Sequence, residues 1–249
     1  MEVLGTDGLA PNDYRHSGVF QDSGLRSVVL PSTLKRIEYF TFKGCENLKA
    51  VRFPEGLEYL GKGCFSQTGL ESVDFPASLR TICPSSFFLC KSLRSARFAG
   101  GLEVLGTNDR GPRGKVLSGV FESSALESVQ LPSTLRVLWS RTFEHCENLK
   151  SIRLPNGLRF IGERCFSSTG LAEITVPKSV VMIRRHALNG DELKKVTLED
   201  GSRLRSVGDG AFAVPDGANQ GGELDIENMA MPDLLRELER LGKVMLAWE

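Results

Sequence analysis

Apolar residues return along this chain in a fixed order. Beginning at Leu25-Arg26-Ser27-Val28-Val29-Leu30-Pro31, the pattern Leu-x-x-(Val/Ile)-x-(Leu/Phe/Val)-Pro recurs at Leu48, Leu70, Leu126, Leu149 and Leu171, with looser copies at Leu93 and Leu193. A second apolar pair follows each copy: Leu34 and Ile37, Leu57 and Leu60, Leu79 and Ile82, Leu135 and Leu138, Leu158 and Ile161, Val180 and Ile183. A bulky residue comes next, at Phe42, Phe65, Phe87, Phe121, Phe143, Phe166, Leu188 and Phe212. The first segment alternates with a period of two, which predicts a short strand with Leu25, Val28 and Leu30 inward and Pro31 stopping it. The second segment predicts another short strand on the opposite face, and Phe42 with Cys45 closes the core at a turn. Stacked at about 4.8 Å per strand, such coils form a parallel sheet.

The repeating unit is about 22 or 23 residues, inside the range of roughly 20 to 29 for leucine-rich repeats. The consensus Leu-x-Ser-Val-x-Leu-Pro-Ser-x-Leu-x-x-Ile-x-x-x-x-Phe-x-x-Cys-x-x-Leu resembles the BspA-like repeats first associated with bacterial surface antigens and also found in protists. The resemblance runs from about residue 1 to 213. It implies a β-rich leucine-rich-repeat solenoid and a role in adhesion or binding.

A longer period lies over the first. Met1 to Thr6 matches Leu102 to Thr107, Ser17-Gly18-Val19-Phe20 matches Ser118-Gly119-Val120-Phe121, and Cys45 to Lys49 matches Cys146 to Lys150. The offset between these pairs is 101 residues, so a four-coil block is duplicated. Both copies carry an enlarged loop, Asp7 to His16 and Asn108 to Leu117. The domain reading is a solenoid over 1–220 and a C-terminal segment over 221–249. The first block starts in mid-repeat with no capping element ahead of it, which reads as an incomplete N-terminus. Gly221-Gly222 ends the repeats. From Pro232 to Trp248 the residues Leu234, Leu235, Leu238, Leu241, Met245 and Trp248 keep to one side at helical spacing, predicting an amphipathic helix that caps the last coil or docks on another protein.

Composition narrows the function. Lys+Arg and Asp+Glu are both 31, so the formal charge is zero and bulk attraction to nucleic acid or membrane has no support. No run reaches the roughly 18 apolar residues of a membrane span, and Met1 to Asp7 lacks the basic and apolar regions of an export signal. The chain as written therefore reads as cytoplasmic, and as extracellular or cell-surface if its N-terminus is truncated. The six cysteines form neither a CxxC nor a zinc pattern. They read as reduced core residues. Positions two coils apart are too distant for a Cys45–Cys90 disulfide, while Cys45 with Cys64 and Cys146 with Cys165 stay open.

Candidate chemistry is sparse. Three histidines, His16, His145 and His186, occupy different coil positions and read as exposed, so no nucleophile and base are brought together. The loop from Gly106 to Lys115 misses the phosphate-loop spacing GxxxxGK[ST]. No catalytic residue, cofactor or metal ligand is assigned, and the chain reads as a non-catalytic interaction module.

The solvent side of the first strands does carry a signal. Their second, third and fifth residues hold nine positive charges, among them Lys49, Arg52, Arg94, Arg97, Lys150 and Arg153, against four negative ones. These six are the candidate partner-binding residues, for a protein or an acidic polymer. Opposite charges on neighbouring strands would account for Glu71 and Asp74 but not for the surplus. A second candidate is the stripe of Tyr59, Val104, Val137, Phe160 and Met182 with Trp139 nearby: core if packed, a self-association surface if exposed. The rival function is the sensor part of a larger enzyme or receptor whose other domains lie outside this chain.

Overall fold

A computed structural model describes residues 3–4, 18–108 and 117–212. The predicted helix over 232–248, His16, the first enlarged loop and most of the second lie outside the described residues. Within them the chain winds as a parallel-strand solenoid, and the two segments of each coil take opposite sides of one core. The first segments supply the strands Ser72–Phe75, Ser95–Phe98 and Ser128–Gln130, paired in parallel, and the pair Glu173–Val176 with Lys195–Leu198. The second segments supply two-residue strands, also parallel: Val3–Leu4, Arg36–Ile37, Tyr59–Leu60 and Thr81–Ile82 in one sheet, then Val104–Leu105, Val137–Leu138, Phe160–Ile161, Met182–Ile183 and Ser206–Val207 in another.

The inward pattern read from the sequence holds. Leu48, Leu70, Leu93, Leu126, Leu149 and Leu171 are buried, as are Ile37, Leu60, Ile82, Leu105, Leu138, Ile161 and Ile183 from the second segments. One expectation needs correction. Segments 25–30, 48–53 and 149–154 keep the same apolar pattern, yet form no regular strand; the sheet starts only at Ser72–Phe75, and the gap at 149–154 divides it into two pieces. Inward burial requires only that the right side chains face the core, while a ladder also requires each backbone to sit in register with both neighbours. At Lys49 a single bond remains, its carbonyl accepting from the Glu71 amide at 3.1 Å.

The turn side of each coil is a third stacked element. Phe20, Phe42, Phe65, Phe87, Phe121, Phe143 and Phe166 form one column, with ring centroids 5.1 to 5.7 Å apart and planes within 19° of parallel. Stacked rings at this spacing add attraction beyond the burial of their area. The backbone bonds from coil to coil in step with them, as Phe42 N to Cys64 O, Phe65 N to Ser86 O and Phe143 N to Cys165 O, at 2.8 to 2.9 Å. The bends on either side of the ring need left-handed backbone. Residues two before and two after the phenylalanine take it in nearly every coil, including Phe40, Arg141, His145, Arg164 and His186 at φ 54° to 60°. Non-glycine residues pay strain there, which the surrounding ladder offsets.

The two blocks meet at Gly100-Gly101, where both residues have positive φ and a Cβ on Gly101 would stand 2.0 Å from the Ala77 carbonyl oxygen. Here the second sheet is interrupted between Thr81–Ile82 and Val104–Leu105. The first sheet and the phenylalanine column run across the junction, so the solenoid continues through it.

Candidate functional site

The exposed face of the first sheet is built by the strand period. In Ser72–Phe75, Val73 and Phe75 turn into the core, which sends Ser72 and Asp74 outward. Parallel pairing then stacks equivalent residues: Ser72, Ser95 and Ser128 form one row, and Asp74, Arg97 and Gln130 form another. Glu173 stands beside Lys195 and Thr175 beside Thr197 in the separate strand pair. All six candidate residues, Lys49, Arg52, Arg94, Arg97, Lys150 and Arg153, are exposed on their segments.

The charges divide into two groups. Lys49 faces Glu71 at 3.9 Å, and Arg94 forms an ion pair and hydrogen bond with Glu127. These are exposed pairs between adjacent coils, which contribute little to stability. Arg52, Arg97, Lys150 and Arg153 have no ion-pair partner among the described residues, although Asp74 is in register with Arg97. The serine row between the charged rows was not singled out in the sequence. The recurrence of Ser27, Ser72, Ser95, Ser128 and Ser151 at the third strand position was the available signal. It leaves a low, polar track between two lines of long side chains.

The other candidate chemistry settles into the core. All six cysteines are buried free thiols, so neither open disulfide pair forms. At one turn position hydroxyls and thiols alternate from coil to coil, as Ser23, Cys45, Thr68, Cys90, Ser124 and Cys146, with O···S distances of 3.3 to 3.4 Å. Cys45, Cys90 and Cys146 also donate to the Phe20, Phe65 and Phe121 carbonyls at 3.0 to 3.2 Å. Burial pushes the thiol of Cys90 up to about 11 and that of Cys146 up to about 12, and raises Cys64 and Cys165 as well. Such thiols are poor nucleophiles near neutral pH.

The histidine expectation is corrected in one respect. His145 is exposed, but His186 is half-buried and its Nδ1 is buried with no hydrogen bond, because the ring lies over Gly210 of the next coil. No group of His, Cys, Asp and Glu among the described residues has the arrangement of a metal site.

Two buried carboxylates occupy the turn side. Glu122 accepts from the Gly119 amide at 2.7 Å, and burial, with Glu144 beside it, raises its pKa. Glu144 is held by Arg141 at 3.0 Å and by Arg164 at 3.5 Å. Gly119 is required here, since a Cβ on it would stand 1.7 Å from the Arg141 carbonyl oxygen.

A family model described as a BspA type leucine rich repeat region, in six copies, matches residues 15–108 and 115–216. The chain belongs to this family. Among solved structures, this BspA-type chain is similar to a leucine-rich repeat protein from Bacteroides ovatus, at 17% identity and a TM-score of 0.52, over 85% of this chain and 73% of that one. It is also similar to a leucine rich cell surface protein from Faecalibacterium prausnitzii, at 20% identity and a TM-score of 0.46, over 72% of this chain and 55% of that one. At 17% identity the likeness to the Bacteroides ovatus protein is one of fold. No curated protein matches the sequence. The BspA-type repeat builds a leucine-rich-repeat fold, which is generally used for protein interaction. No helix among the described residues is long and apolar enough to cross a membrane.

Proposed function

We propose that this protein is a non-catalytic interaction module whose first-sheet face binds an acidic protein surface or an anionic polymer. The observation that carries the reading is the unbalanced charge: Arg52, Arg97, Lys150 and Arg153 are exposed with no ion-pair partner among the described residues, while Lys49 and Arg94 hold the nearest glutamates. A focused positive patch on a neutral chain steers anionic partners and sets orientation more than it adds affinity. The serine row gives such a partner room to lie along the coils. The resemblance to repeats associated with bacterial surface antigens supports an extracellular setting, where the partner would be met outside the cell.

The test is the triple variant Arg52→Ser, Arg97→Ser, Arg153→Ser. Exposed charges contribute little to folding, so each change should alter stability by less than about 1 kcal/mol. Binding of the parent to heparin and to polyglutamate should weaken as salt rises. The variant should elute at lower salt on both, with a flatter salt dependence. Elution together with the parent on both would end the proposal and leave the arginines as ladder charges.

A further inference from the structure

The apolar stripe on the second sheet is closed where it is most apolar. Val137, Phe160 and Met182 are 0%, 3% and 1% exposed and form a small cluster with Val104, Trp139 and Val181. The basic face is open, and its charges are ordered.

That order is an alternation from coil to coil. At the fifth position of successive first segments, Arg52, Arg97 and Arg153 take turns with Asp74 and Gln130. At the second position, Lys49, Arg94 and Lys150 take turns with Glu71 and Glu127. All of these residues are exposed. Inward packing holds the phase: Val73 with Phe75 and Ala96 with Phe98 are buried on the strands, and Leu48 with Phe53 and Leu149 with Leu154 on the segments without regular strand. Register sets Asp74 beside Arg97 and Arg97 beside Gln130. The second-position row is partly neutralised, since Lys49 and Arg94 hold Glu71 and Glu127. The fifth-position arginines have no ion-pair partner among the described residues. With strands about 4.8 Å apart, arginines two coils apart stand roughly 10 Å from each other.

Resting on the reading of this face as an anion-binding surface, we propose that its ligand is a linear polysaccharide with an acid group on every second sugar, lying along the solenoid axis. A pyranose ring with its glycosidic oxygen advances a chain by close to one coil spacing, so alternate sugars meet alternate coils. An acidic peptide fits less well. An extended strand brings side chains to one side about every 6.6 Å, out of step with both one coil and two. It also draws its affinity from main-chain hydrogen bonds at a sheet edge, whereas a sheet face offers side chains alone. A polyproline II peptide returns every third residue at roughly 9.3 Å, but such peptides dock on aromatic-lined grooves. No aromatic residue holds an outward position on these segments. What lies between the charged rows is the in-register row of Ser72, Ser95 and Ser128. A serine hydroxyl both donates and accepts, which suits a ligand whose own surface is mostly hydroxyl.

Oligosaccharides of equal length separate the order of charge from its amount. Hyaluronan oligosaccharides carry a carboxylate on every second ring, and polygalacturonate oligosaccharides carry one on every ring. In the double exchange Asp74→Arg with Arg97→Asp, the face keeps its net charge and the two residues remain opposite in sign. At fixed salt, hyaluronan binding should weaken about fivefold or more, because a carboxylate now stands where the ligand's own falls. Polygalacturonate binding should change by less than about twofold, since it follows total charge. Gln130→Arg adds a cation out of phase. It should tighten polygalacturonate binding several-fold and leave hyaluronan within about twofold, and tighter binding cannot be imitated by a failure to fold. Parallel changes for the two polymers in either variant overturn the proposal, as does a parent that prefers polyglutamate to hyaluronan. A parent that binds neither oligosaccharide, heparin nor polyglutamate ends the anion-binding reading and this proposal with it. Binding that ignores the phase of the arginines ends this proposal alone.

Discussion

The two copies of the four-coil block share their interior and differ in what they show to the outside. Phe42 and Phe143, Phe65 and Phe166, Cys45 and Cys146, and Leu48 and Leu149 hold equivalent places, and all are buried. Outside, the first block places Arg36 and Glu38 in an ion pair at 2.8 Å, with the Arg36 guanidinium 3.8 Å above the Tyr59 ring. The second block has Val137, Trp139 and Phe160 at those positions. On the turn side, Gln21 accepts from the Gly18 amide where Glu122 accepts from Gly119. The inward residues and the backbone bonds between coils are common to both blocks, which leaves the outward positions free to differ. Duplication thus leaves two equal cores and frees one outer surface to become apolar.

The equality of the cores makes the largest prediction. Phe42→Ala and Phe143→Ala each remove a fully buried ring from the middle of the column, and each should cost about 3 to 5 kcal/mol in chemical denaturation. The two losses should agree to within about 1 kcal/mol, since both rings meet the same kind of neighbours. A loss below about 1 kcal/mol at either position would break the equivalence of the blocks.

The inequality of the outer surfaces makes the second. Met182→Ala should cost about 2 kcal/mol or more, because it opens space in a buried cluster. Thr81→Ala, at the matching place in the first block, should change stability by less than about 0.5 kcal/mol. Equal effects in denaturant midpoints would show that the apolar stripe is not a packed layer.

The smallest expected effect sharpens the comparison on the turn side. The pKa of Glu122 is raised by burial and by Glu144, so its neutral form is favoured in the folded chain. Its contribution is fully present below the unfolded carboxylate range and is lost as pH rises through the folded pKa. Glu122→Gln recreates the Gln21 contact of the first block without the charge. The variant should be more stable than the parent at neutral pH, and the difference should fade as pH drops through the carboxylate range. Thermal unfolding from pH 4 to 8 reads this directly, and a gain that grows toward acid would reverse the assignment.

Much of the fold was legible because a solenoid coil repeats a short-range requirement. The same inward spacing returns every 22 or 23 residues, and each return is independent support for the same period. The left-handed bends were less legible. Gly44, Gly63 and Gly210 mark the two bend positions openly, but Phe40, Arg141, His145 and His186 hold the same backbone without glycine. Their φ is set by the coils above and below. The candidate site was legible as a list of outward charges, and the exposure of Lys49, Arg52, Arg94, Arg97, Lys150 and Arg153 follows from the strand period. Their division into paired and unpaired charges was not, since it depends on which side chains meet across coils.

The sequence alone determined the repeat, the duplicated block, the identity of the core residues and the side of the strand on which the basic residues stand. All of these follow from periodic burial, which is written one residue at a time. Tertiary structure decided the broken first sheet, the interruption of the second sheet at Gly100-Gly101, the half-burial of His186 and the burial of Val137, Phe160 and Met182. Each depends on register or on what lies above a surface. Those are relations between coils, and no single coil's residues encode them.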